Sequence, residues 1–191
     1  MEKRDTKLAI IEAAVEIFAR KGFERATVDE VAARARLAKG TIFYNFKTKD
    51  DIFFAIIEEG TRRFSELVKH RSSSGRAVDR LEQAYDAAFE FFQKYNDFST
   101  LLVSELWRVR TRWNYEPVLL DAYKRHLEEI FIEGQQNGEF RRDIDSKDVG
   151  LLVFFLAAVN SLSRFLSDEA DPERKLFNHA KLIFLKGIMA D

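Results

Sequence analysis

Apolar residues recur at intervals of three and four along almost the whole chain, and this periodicity limits the fold more than any other feature. It is the spacing of a helix face. No convincing strand alternation and no convincing hairpin turn interrupts it. Only two prolines occur in 191 residues, Pro117 and Pro172, and both fall in breaks between periodic stretches. The pattern predicts an all-α protein: a three-helix head followed by a helical bundle of about six helices.

The head is the more explicit part. A first helix is predicted over Thr6 to Lys21, with Ile10, Ile11, Ala14, Val15 and Phe18 as its stripe and Gly22 at its end. Thr27 stands three residues before Glu30, the spacing of a capping box, and opens a short second helix that ends near Ala35. A tight turn over Arg36–Ala38 leads to a third helix over Lys39–Asn45. Thr48 and Asp51 repeat the capping spacing and open a long fourth helix through Ile52, Phe53, Ile56, Ile57, Phe64, Leu67 and Val68. A capped helix, a turn of a few residues and a second short helix form a helix-turn-helix, whose second helix can enter the major groove of DNA. Ile42 and Phe46 point back into the head, leaving Lys39, Thr41, Tyr44 and Asn45 to face outward.

Charge agrees with this polarity. Residues 1–50 hold 11 of the 31 Lys+Arg and 8 of the 32 Asp+Glu, a balance of +3, whereas the remainder carries −4. A basic head on an acidic body suits contact with a polyanion at one end. The expected division is a DNA-binding domain over 1–50 and a separate helical domain over 51–191.

This stretch resembles the tetracycline-repressor (TetR) family of transcriptional regulators. The resemblance rests on Gly22-Phe23, on Ala26-Thr27-Val28-Asp29-Glu30-Val31-Ala32, and on Lys39-Gly40-Thr41-Ile42-Phe43-Tyr44-Asn45-Phe46, continued by Lys47-Thr48-Lys49-Asp50-Asp51-Ile52. A second, weaker likeness lies at Gly134…Gly138-Glu139-Phe140. The resemblance implies that Lys39 and Gly40 approach base edges, that Phe43 touches bases or methyl groups, and that Thr41, Tyr44 and Lys49 bind phosphate. It places Asn45 against phosphate or base, and Thr27 against phosphate at a helix N-terminus. Three positions depart from the family pattern. Arg36 replaces a turn glycine, so a left-handed backbone there is strained. Ala38 replaces a Ser cap. Phe43 lacks a phenolic hydroxyl.

The body is predicted to form helices after the Ser72–Gly75 break: a fifth, a sixth over about 99–110, a seventh from Pro117 to Gly138, an eighth over Ser146–Ser167 and a ninth from Asp171-Pro172. Eighteen phenylalanines exceed what a small core needs. Phe89, Phe92, Leu102, Trp107, Trp113, Tyr123, Phe155 and Asn160 are the candidate ligand-binding residues of an apolar cavity between bundle helices. The eighth and ninth helices are apolar nearly all round, and the resemblance makes them the interface of a homodimer.

Other functions fit less well. With no cysteine, disulfides, thiolate metal sites and cysteine nucleophiles are excluded. No G-x-S-x-G, Walker A or G-x-G-x-x-G stretch occurs, and no histidine follows a Glu at the spacing of a di-iron bundle. The longest apolar run, Val149–Val159, is too short to span a bilayer, and no signal peptide is evident, so a cytoplasmic, cofactor-free and metal-free protein is expected. The reading is a DNA-binding regulator, a repressor released from a palindromic operator in double-stranded DNA by a small apolar or amphipathic ligand. The alternative is an all-helical hydrophobic-ligand carrier or enzyme. Neither needs the capped basic head.

Overall fold

The computed structural model describes residues 3–102, 104, 120–160 and 172–190, the side chains of 3–5, 160 and 172–174 excepted. The described residues are helical, with one isolated bridge between Phe140 and Met189. The elements are α1 (Lys3–Lys21), α2 (Val28–Ala35), α3 (Lys39–Asn45), α4 (Lys49–Arg71), α5 (Ala77–Lys94), α6 (96–102), α7 (Asp121–Gln136), α8 (Ser146–Asn160) and α9 (Pro172–Ile188). The continuations expected for the sixth and eighth helices, and the start expected for the seventh, lie outside the described residues. No described helix is long and apolar enough to cross a membrane.

Two compact units divide the chain. One holds Met1–Thr61 with Asp97–Glu116, the other Arg62–Asn96 with Pro117–Asp191. The division therefore falls inside α4, and α6 belongs with the head.

In the first unit α1 buries Ile10, Ala13, Ala14, Ile17 and Phe18. The buried stripe is rotated from the expected one, and Ile11 and Val15 are only half-buried. Gly22 ends α1 at φ 78, a conformation favourable to glycine. Phe23 then turns inward and meets Phe18 and Phe53 edge-on, at ring separations of 5.4 and 5.1 Å. Ile42 and Phe46 close the core beneath α3, as their spacing required. Further along, Phe98 of α6 lies where a Cβ on Gly60 of α4 would stand. That close approach needs glycine.

In the second unit α5 is the central helix. Its buried residues include Leu81, Ala84, Tyr85, Ala88, Phe91 and Phe92, and it packs on α7, α8 and α9. The Gly134…Phe140 stretch has a structural explanation. The ring of Phe140 fills the space beside Gly134 and stacks on Phe131 at 4.8 Å. Gly138 takes φ 77 to leave α7. Glu139 then accepts from the backbone N–H of Val78 at 3.1 Å and of Ala77 at 3.4 Å. It thereby caps α5, whose own N-cap Arg76 makes no side-chain cap.

The eighth and ninth helices are apolar on two faces, as read from the sequence. Val149, Val153, Phe154, Ala157, Phe177, Phe184 and Ile188 are buried. Leu151, Leu152, Phe155, Val159, Leu176 and Ile183 are exposed. Lys181 ties α9 to α5 through Asp86 and Glu82, each at 2.8 Å.

Candidate nucleic-acid interface

The helix-turn-helix is built by three local devices. At the start of α2, Thr27 and Glu30 form the reciprocal capping box: the Glu30 N–H donates to Thr27 Oγ1 at 3.3 Å and the Thr27 N–H donates to Glu30 Oε2 at 3.0 Å. The Lys21 ammonium binds the same carboxyl. The Lys21 contact first, then the Thr27 N–H, hold Glu30 at a pKa of about 2. At the end of α2 the chain turns through Arg36 at φ 56, ψ 40, the one described non-glycine residue at positive φ. The Leu37 N–H donates to Ala32 O at 3.0 Å and the Arg36 N–H to Ala33 O at 3.2 Å, which completes a Schellman motif despite the side chain. At the start of α4, the Asp51 N–H donates to Thr48 Oγ1 at 3.0 Å and the Thr48 N–H to Asp51 Oδ2 at 2.9 Å. Ala38 provides no side-chain cap for α3.

These devices turn one face of α3 to solvent. Lys39, Gly40, Phe43 and Tyr44 are exposed there, Tyr44 to 70%. Lys39 pairs with Asp29 at 2.8 Å between two exposed side chains, a contact weak enough to exchange for a phosphate or base. A Cβ on Gly40 would meet nothing within 4 Å. A glycine inside a helix costs about 1 kcal/mol relative to Ala, and no group among the described residues requires it. A partner approaching this face closely would.

Other sequence candidates are placed differently. Thr41 is half-buried, and its carbonyl accepts from Asn45 Nδ2 at 2.8 Å. Asn45 is thus folded back on its own helix, with its Oδ1 buried and unpartnered among the described residues, rather than held out toward a base edge. The Thr27 hydroxyl and N–H both serve Glu30, so an internal carboxylate occupies the α2 N-terminus. Lys49 donates to the carbonyls of Phe23, Glu24 and Ala26 at 2.8, 3.2 and 3.1 Å. Lys47, exposed beyond the end of α3, is a residue that sequence reasoning passed over; helical spacing gives no signal for it, because α3 ends at Asn45 and Phe46 is extended.

The candidate ligand-binding residues separate into groups. Phe92 and Tyr123 meet in an aromatic cluster around Phe64, whose ring lies 5.3 Å from Phe92, 4.8 Å from Tyr123 and 5.5 Å from Phe154. The Tyr123 hydroxyl is buried there with no hydrogen-bond partner among the described residues, and burial pushes its pKa well up. Phe89 stacks on Phe177 at 3.9 Å. Leu102 is buried in the other unit. Phe155 points outward on α8 and belongs to the exposed apolar face, since the inward positions of that turn are taken by Phe154 and Ala158. Trp107, Trp113 and the side chain of Asn160 lie outside the described residues.

Ser72 Oγ and His126 Nε2 are 2.8 Å apart. The serine is buried and donates to Val68 O at 2.7 Å, so this pair ties the end of α4 to α7 and presents no accessible nucleophile.

Comparison with known proteins agrees with this geometry. The profile of the bacterial regulatory proteins of the tetR family matches residues 10–56, and that of the tetracyclin repressor-like C-terminal domain matches residues 78–169. The fatty acid metabolism regulator protein of Bacillus subtilis is 28% identical over 159 residues, 80% of each chain. The HTH-type transcriptional regulator QacR of Staphylococcus aureus is 27% identical over 188 residues, 94% of this chain and 96% of that one. Among solved structures, the fatty acid degradation regulator FadR of Bacillus halodurans superposes with a TM-score of 0.82 at 21% identity, covering all of both chains. FadR of Bacillus subtilis in complex with stearoyl-CoA gives 0.78 at 24% identity, covering 95% of this chain and 98% of that one. With both profiles matched in order and the capped helix-turn-helix in place, the chain belongs to the TetR family of DNA-binding transcriptional regulators.

Proposed function

We propose that this chain is a cytoplasmic homodimeric repressor that leaves its operator when a long-chain amphiphile, of the fatty-acyl thioester class, enters its second unit. The observation that carries the ligand class is the Tyr123 hydroxyl. Among the described residues it has no hydrogen-bond partner, and it lies inside the aromatic cluster of Phe64, Phe92 and Phe154. An apolar surround with one buried hydrogen-bonding point matches a ligand that is mostly hydrocarbon with an oxygen at one position. Left unpaired, such a hydroxyl costs about 1–3 kcal/mol, which a ligand carbonyl would recover. The B. subtilis relative seen with stearoyl-CoA supports the same class.

Dimerisation rests on the exposed apolar face of α8 and α9. Leu152, Phe155, Val159 and Ile183 are large apolar groups that a second copy would cover. A two-fold dimer would present two reading helices to successive major grooves, and hence recognise a palindromic site.

A thermal-shift titration tests the ligand class. Palmitoyl-CoA at a hundred times its Kd should stabilise the chain by about 2.7 kcal/mol, roughly 5–10 °C for a chain of this length. Free coenzyme A and sugar phosphates should give no shift. Tyr123→Phe should raise the melting temperature of the ligand-free protein and weaken palmitoyl-CoA binding. Stabilisation by polar metabolites alone, or by nothing in the panel, refutes the proposal.

A further inference from the structure

Two lysines stand two residues apart where α3 gives way to α4, and their surroundings differ completely. All three ammonium protons of Lys49 are used inside the chain. They go to the carbonyls of Phe23, Glu24 and Ala26, at 2.8, 3.2 and 3.1 Å, while the ammonium lies 4.5 Å above the Phe23 ring. These carbonyls converge because the chain leaves α1 through Gly22 at φ 78 and closes a turn with the Ala26 N–H on Gly22 O at 3.2 Å. Phe23 is itself buried against Phe18 and Phe53, so the trap has a rigid wall. Lys47 is exposed, and among the described residues its side chain makes no hydrogen bond or ion pair.

We propose that the two lysines divide the labour of DNA binding. Lys49 is a positioning residue, and Lys47 meets the DNA phosphate at this corner. Lys49 joins the first residue of α4 to the turn that immediately precedes Thr27, the cap of α2. It therefore holds the start of α2 in register with the reading helix. For Lys49 to reach a phosphate, three carbonyls would lose their donor and the ammonium would leave the ring. Lys47 gives up nothing: it follows the end of α3 by two residues and is exposed, as Lys39 and Phe43 are.

The experiment measures affinity for a mixed-sequence duplex of about 30 base pairs across several salt concentrations, at a temperature where circular dichroism shows each variant fully helical. Lys47→Met should lower the slope of log K against log salt by about one and leave the melting temperature unchanged. Lys49→Met should leave the slope at the wild-type value, lower affinity about tenfold at every salt concentration, and lower the melting temperature. Lys49→Arg keeps the charge and binds phosphate well, but its planar fork does not match three convergent carbonyls. It should behave like Lys49→Met. A loss of one unit of slope in Lys49→Met, or wild-type affinity in Lys49→Arg, overturns the positioning role in favour of direct contact. Wild-type affinity with only a lower melting temperature in Lys49→Met reduces the residue to stability and also overturns it. An unchanged slope in Lys47→Met overturns the phosphate contact; that variant is exposed and tests the proposal even if Lys49→Met does not fold.

Discussion

Replacing Gly60 with alanine sets helix propensity against packing. Gly60 lies in the interior of α4, where alanine is favoured by about 1 kcal/mol. The added Cβ would stand 2.8 Å from Phe98 Cδ2 and nearer still to Cε2 and Cζ, inside the ring's own volume. Phe98 is only 5% exposed, so it has no free direction in which to yield. Forcing extra volume into a packed site costs about 1–3 kcal/mol, and losing a buried Phe altogether costs about 3–5. After the propensity gain, the net loss is about 0–2 kcal/mol if the ring is squeezed and about 2–4 kcal/mol if it is expelled, the latter roughly 4–16 °C in melting temperature for a chain of this size. Thermal unfolding followed at 222 nm measures it. Adding Phe98→Ala should cost much less in the Gly60→Ala background than in the wild type, with a coupling of about 1 kcal/mol or more, because the ring's seat is already lost. A Gly60→Ala protein that melts above the wild type would show that propensity dominates and that the α4–α6 approach is not as tight as described.

Three other outcomes follow from particular side chains. Arg36→Gly should relieve the left-handed strain of about 1–2 kcal/mol, less about 0.4–1 kcal/mol for the freer unfolded chain; a small rise in melting temperature is expected, and a fall would contradict the strain. Ile183, 72% exposed, and Phe184, 8% exposed and stacked on Tyr85, should respond oppositely to glutamate: Ile183→Glu should give a folded monomer by light scattering, whereas Phe184→Glu should unfold the chain, and a folded dimer in Ile183→Glu would contradict the α8–α9 interface. Burial first, then the charges of Arg80 and Lys69, lower the pKa of His126, so the unfolded chain binds its proton more readily. The stabilisation is complete above about pH 6.5 and falls with pH below it, so His126→Gln should flatten the melting temperature between pH 7.5 and 5.5, and an unaltered profile would contradict this.

What the sequence made legible was local. Both capping boxes were visible because their partners stand three residues apart, and the termination of α1 and α7 was visible in Gly22 and Gly138. Even the left-handed Arg36 followed from the family resemblance, which puts a turn glycine at this position. Groups brought together from far along the chain were not legible. Lys49 finds its carbonyls 23 to 26 residues earlier, and nothing in its neighbours distinguishes it from a surface lysine. Glu139 caps a helix that starts 62 residues before it. Periodicity identified α9 as apolar on two faces but not which face its own core takes; that depends on Tyr85 lying beneath Phe184 rather than Ile183. For the same reason periodicity did not show that Phe154 faces the core and Phe155, one position on, faces solvent. The fold-back of Asn45 was foreseeable, since an asparagine in a helix has the carbonyl four residues earlier within reach.

The central claim is that DNA binding and apolar-ligand binding are coupled, and the direct measurement is duplex affinity with and without ligand. Wild-type protein is titrated by fluorescence anisotropy onto the duplex it selects from a random pool, at fixed salt, in the presence of saturating palmitoyl-CoA or of free coenzyme A. The account predicts that palmitoyl-CoA raises the Kd by about 5–150-fold and that coenzyme A leaves it unchanged. Palmitoyl-CoA that binds the protein tightly yet leaves the duplex Kd unaltered would contradict it, because a ligand with equal affinity for both arrangements shifts nothing.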